Sequence, residues 1–194
     1  LTDSRTMISL RRRLLSVSLD PNAKPYEKTL ATKFQTALMK DLDAAFKGAY
    51  GVFSVQNFWL PNVGFDGEIK QGKTVADAAK AAGVQHLVYS SVGSAHRGMG
   101  QKHFESKWII EQYIHTLDIP YTILRPVAFM ENHNWSRAYI LSGTYPGMGL
   151  RSDKGVQNIA VEDIAAFAAL AFTDAKFYLG KTLELAGDEL TETQ

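Results

Sequence analysis

A parallel α/β sheet flanked by helices is the fold class this sequence predicts, and three observations carry that prediction. Short runs rich in apolar and aromatic residues recur at Tyr50–Val55, Val84–Ser91, Tyr121–Leu124 and Lys181–Ala186. Segments with helical spacing lie between them, and polar residues gather where the runs end. Strands buried in such sheets read as short continuous apolar stretches, and ligands sit beyond their carboxyl ends.

Along the chain, Leu1–Asn22 combines the basic run Arg11–Arg13, a β-leaning Leu14–Leu19 and an Asp20-Pro21-Asn22 turn signal, so a strand ending in a turn is expected there. Lys24–Gln35 has weak periodicity. Asp41–Lys47 places Leu42, Ala45 and Phe46 on one helical face, closed by Gly48. Tyr50–Val55 reads as a buried strand ending in Ser54, Gln56 and Asn57, either a ligand-facing edge or an ordinary exit into a loop. Trp59–Phe65 is an aromatic loop broken by Pro61 and Gly64. Glu68–Ala82 is expected to be a helix burying Ile69, Val75, Ala78, Ala79 and Ala82, with Gly83 as its stop.

Val84–Ser91 is the next strand, with Ser90 and Ser91 at its polar end. A loop with Gly93, Gly98 and Gly100 follows; these glycines lack the G-x-G-x-x-G pattern of a nucleotide fingerprint and read instead as a flexible loop beside a site. His103–Leu117 is helical. His103 and Lys107 stand one turn apart and share a face, which suits proton transfer beside a cation, although spacing alone favours a solvated helix face. Tyr121–Leu124 is a strand after which Arg125-Pro126-Val127 is expected to turn the chain away. Glu131–Gly149, with Asn132, Trp135, Tyr139 and Tyr145, suits a substrate-side lobe whose aromatics form core or pocket wall. After a turn at Asp153–Gly155, Val156–Val161 is a short strand. Glu162–Phe172 is an apolar helix with no Ser or Thr cap, and Lys181–Ala186 is the last strand.

Composition narrows the chemistry. The 194 residues carry 21 basic and 20 acidic side chains, a net charge of +1, so no global field recruits nucleic acid or an anionic membrane. Zero cysteines exclude disulfides, thiolate metal sites and a cysteine nucleophile. The five histidines show no H-E-x-x-H or comparable spacing, and no metal is expected. No apolar run approaches the roughly 20 residues that span a bilayer, and a cytoplasmic location is expected. One domain over 1–194 is expected from the length, with 1–40 divergent and 131–194 including substrate-side segments.

Seven segments in series carry a family resemblance: GAYGVFS at Gly48–Ser54, QGKTVADAAKAAGV from Gln71, HLVYSSVGSA at His86–Ala95, HFESKWIIEQYI at His103–Ile114, ILRPVAFMEN at Ile123–Asn132, VEDIAAFAALAF at Val161–Phe172 and LELAGDELT at Leu183–Thr191. Together they resemble the NmrA-like proteins, an atypical branch of the short-chain dehydrogenase/reductase superfamily. The resemblance implies a Rossmann-type sheet that binds NADP or NAD. It implies either a reductase of quinones and other carbonyl compounds, or a redox sensor that regulates a protein partner, for which a nuclear location is also open. His103 occupies the position of the superfamily's catalytic tyrosine, and Lys107 that of its lysine. On this likeness Lys107 holds the nicotinamide ribose and His103 is the candidate proton donor. Ser54, Gln56, Ser90, Ser91, Pro126 and Val127 line the cofactor, and Asn132 faces the substrate.

The departure is the opening. The family begins with a strand and a G-x-x-G-x-x-G loop that cradles the pyrophosphate, whereas Leu1–Lys40 contains no glycine. An incomplete sheet is therefore expected, along with marginal stability, a missing C-terminal extension and doubtful cofactor binding. Truncation is the favoured explanation, beside a partial chain or a degenerate member that no longer binds cofactor.

Overall fold

The computed structural model describes residues 41–144 and 154–191. The expectations for Arg11–Arg13, Leu14–Leu19, Lys24–Gln35, Tyr145 and Asp153 lie outside these residues.

Four strands, β1 (Gly51–Ser54), β2 (His86–Ser90), β3 (Tyr121–Pro126) and β6 (Thr182–Leu185), form a parallel sheet in the order β1-β2-β3-β6. Pairing runs Val52 to Leu87, Tyr89 to Ile123 and Leu124 to Leu183. Strand β2 is buried at every position, as its continuous apolar run requires. Its side chains alternate between two cores. Leu87 and Tyr89 join Val52, Ala76, Ala79, Ile110, Ile114 and Ile123 beneath α2 (Gly64–Ala81) and α3 (Lys102–Thr116). Val88 faces the other way, joining Leu124, Ile164, Ala168, Ala171 and Leu185 beneath α5 (Val161–Thr173).

Helices α2 and α3 cross closely because Gly72 has no side chain: a Cβ there would lie 2.5 Å from Ile110. Outside the crossing, the Tyr113 hydroxyl donates to Asp77 at 2.6 Å and Lys73 lies over the Tyr113 ring. The short helices α1 (Leu42–Phe46), α4 (Arg137–Leu141) and α6 (Ala175–Tyr178) complete the helical set among the described residues.

A second sheet joins β4 (Ala128–Phe129) in parallel to β5 (Val156–Ile159), which pairs antiparallel with β7 (Asp188–Leu190). It follows directly from the carboxyl ends of β3 and β6, so this small lobe stands at the end of the main sheet where ligands bind.

Several expectations are corrected. Strand β1 is not buried on both faces: Val52 and Ser54 are buried, whereas Phe53 between them and the flanking Tyr50 and Val55 are exposed. Pro126 does not end its strand early. It closes β3, where its carbonyl accepts from Gly93 and its missing N–H costs least. Tyr139 is exposed and takes no part in the core, and on the face shared by Leu42, Ala45 and Phe46 of α1 Ala45 is exposed while the other two are half-buried. Helix α2 starts four residues earlier than its apolar spacing indicates, and Val161 opens α5 rather than closing β5. The absent Ser or Thr cap of α5 is replaced from a distance: Glu131 accepts from the Val161 N–H at 3.0 and 3.1 Å.

Candidate functional site

Two wholly buried carboxylates, Glu68 on α2 and Glu111 on α3, organise the carboxyl edge of the main sheet. Burying a carboxylate is costly unless cations and donors surround it. Each is so surrounded. One oxygen of Glu68 accepts from the Ser106 hydroxyl and the other lies 3.0 Å from Lys107 Nζ. Lys107 also donates to the Gln56 carbonyl at 3.3 Å, just beyond β1. The Gln56 side chain donates to Ser54 Oγ at 2.9 Å, while its Oε1 is buried and has no partner. Ser54, Gln56 and Lys107 are thus brought together at the end of β1.

Glu111 lies one turn further along α3. It accepts from the Ser91 hydroxyl and from Arg125, whose Nη2 approaches to 2.6 Å and Nε to 3.1 Å. The other arm of Arg125 reaches His96 Nδ1 at 2.8 Å and Glu184 at 3.5 Å, and Glu184 also accepts from the Ser94 N–H at 3.1 Å. Ser91 therefore belongs to this second cluster. Ser90 is buried nearby, Pro126 is buried at the end of β3, and the Val127 N–H is bonded to the Leu185 carbonyl. Asn132 stands apart, exposed on a 3-10 stretch of the small lobe.

His103 packs against Trp59, Phe58 and Phe104, with ring centroids 5.1, 5.9 and 4.4 Å away. Burial pulls its pKa below the ordinary histidine range; Glu68 pulls the other way, and Lys107 adds to the depression. At neutral pH the ring is a neutral imidazole with one N–H. Tyr89 ends fully buried with its hydroxyl unpartnered, and burial, then Glu68 and Glu111, push its pKa well above the usual phenol value.

Glu68, Ser106, Glu111 and the reach of Arg125 were not singled out from the sequence. The signal was present for Glu68, which falls on the same helical stripe as Gly72, Ala76 and Ala79. A carboxylate in line with small apolar residues points to a buried partner. Among the described residues no cluster of His, Cys, Asp or Glu could hold a metal ion, and no helix is long and apolar enough to cross a membrane.

The chain is 34% identical over 122 residues to quinone oxidoreductase 2 of Escherichia coli, covering 61% of this chain and 40% of that protein. Over this relative and three other curated ones it spans between 29% and 49% of their length. Among solved structures, an NADPH-dependent quinone oxidoreductase from Escherichia coli superposes with a TM-score of 0.65 at 26% identity, over 88% of this chain and 59% of that one. NmrA, a negative transcriptional regulator in complex with NAD, superposes with a TM-score of 0.62 at 22% identity, over 80% and 51%. The fold is accordingly the NAD(P)-binding Rossmann-like one. The NmrA-like family model matches residues 22–194, most of the sequence, and the chain belongs to that family.

Proposed function

We propose that this chain is an NAD(P)H-dependent reductase acting on quinones or related carbonyl compounds. The observation that carries this reading is Lys107 at the carboxyl edge of the sheet: its ammonium is ion-paired with the buried Glu68 carboxylate at 3.0 Å and donates one N–H to the Gln56 carbonyl, which leaves it further N–H groups for a ligand. The same residue whose carbonyl anchors Lys107 carries a buried, unpartnered Oε1. A lysine donor fits a ribose hydroxyl, which accepts as well as donates.

A bound nicotinamide would supply the hydride. The chain's own residues would do the rest. Lys107 would orient the ribose, and the His103 N–H would donate to the substrate oxygen as negative charge develops there. Phe58 and Trp59 beside His103 offer flat apolar surface to an aromatic acceptor. Ser54, Ser90, Ser91, Pro126 and Val127 would line the cofactor side, and Asn132 the substrate side.

The test is fluorescence titration of NADPH and NADH into the full chain, followed by steady-state assays on a quinone panel. Binding is expected, with turnover falling about 10- to 100-fold in Lys107→Ala, the loss of a charged hydrogen bond. No binding of either nucleotide, or turnover indifferent to Lys107→Ala, would overturn the proposal.

A second reading has one observation in its favour: His103 is held neutral among aromatic rings and so lacks the more acidic imidazolium proton. It is a redox sensor that binds cofactor without turnover and presents one surface to a protein partner. Binding without turnover, and a partner retained with only one redox form, would favour it.

A further inference from the structure

We propose that Glu68 is a positioning residue that aims Lys107 at the cofactor ribose, an inference that rests on the cofactor-facing role given to Lys107 above. Lysine is a flexible four-carbon stem bearing a compact charge, and on its own it does not hold one direction. Here its freedom is removed from beneath. The Glu68 carboxylate is wholly buried, one oxygen fixed by the Ser106 hydroxyl and the other 3.0 Å from Nζ. The Gln56 carbonyl takes one N–H at 3.3 Å. The buried carboxylate thus holds the ammonium in place by charge while Gln56 fixes one of its three donors, and Nζ is confined to the edge of the sheet.

The support is rigid on both sides. Glu68 belongs to α2, whereas Ser106 and Lys107 belong to α3, and the two helices are locked at the Gly72–Ile110 crossing one turn from Glu68. Glu68 and Lys107 also cancel in charge. The crevice therefore presents a directed N–H with little net field, which suits a neutral ribose hydroxyl better than a phosphate.

Pulse acetylation of the full chain with acetic anhydride, read by peptide mass spectrometry against Lys73 and Lys80 as internal standards, tests this without any cofactor. In wild type Lys107 should label slowly. In Glu68→Gln its relative labelling should rise about tenfold, as expected on losing a charge-assisted contact, with a cooperative melt retained. Ser106→Ala, which removes only the anchor of Glu68, should give a smaller rise and decides the matter should Glu68→Gln not fold. Lys107 labelling that stays at the wild-type level in a folded variant would overturn the proposal. Failure of the wild-type chain to bind NADPH or NADH would instead count against the cofactor reading, while the labelling still decides whether Glu68 holds Lys107.

Discussion

His86 shows how one buried ring ties stability to pH. It opens β2 with no exposed surface, and its Nε2 lies 2.7 Å from the Thr122 hydroxyl. Thr122 donates its own proton to the Tyr178 carbonyl at 2.9 Å, so His86 must be the donor and its proton sits on Nε2. Nδ1 is left bare, buried and without a partner. Protonating it would place an N–H where nothing accepts, and burial accordingly lowers the His86 pKa. The unfolded chain then takes up a proton more readily than the folded one, so stability is full above the unfolded value of about 6.5 and falls as pH drops towards the depressed folded value. His103 acts in the same direction. Urea denaturation between pH 7.5 and 5 should show midpoints falling with pH, and His86→Gln should flatten that slope. An unchanged slope would show that His86 does not set it.

Among elements, the α2–α3 pair carries the most consequence, because the Glu68–Lys107 ion pair spans it. Gly72→Ala would drive a Cβ into Ile110, and overpacking of this kind costs about 1–3 kcal/mol. Thermal melts should show the loss, and Ile110→Val in the same chain should recover part of it; full additivity of the two changes would disprove the contact. These helices and the parallel strands were legible in the sequence, since periodicity and glycine stops report burial and chain reversal locally. Less legible were features decided by distant partners. Glu131 caps α5 from thirty residues away, β7 exists because it pairs with β5, and α2 begins at Gly64 ahead of its first apolar position.

At the scale of the molecule, Arg125 binds together parts that are far apart in sequence: α3 through Glu111, β6 through Glu184 and the loop after β2 through His96. Removing one partner of a buried pair leaves the other charge stranded, so Arg125→Ala should cost about 3–5 kcal/mol in chemical denaturation. Joint replacement of Arg125 by Met and Glu111 by Leu should cost far less. Equal losses in the single and double variants would show that the pair is not coupled. The site divides in the same way between legible and hidden. The four-residue spacing of His103 and Lys107 by itself favoured a solvated helix face and the strand end at Ser54 and Gln56 an ordinary exit equally well, so the resemblance was needed to single these residues out. The carboxylates that hold Lys107 and Arg125 come from other elements, and only the fold brings them there.

The links between the two sheets are short. Val127 alone separates β3 from β4, and Ala186 and Gly187 alone separate β6 from β7. Both links are also pinned, Val127 to Leu185 and Gly187 to Asn158. Joints this short have no slack, so the lobe and the main sheet hold one another in register, and the strand ends they join are those that carry Arg125 and Glu184.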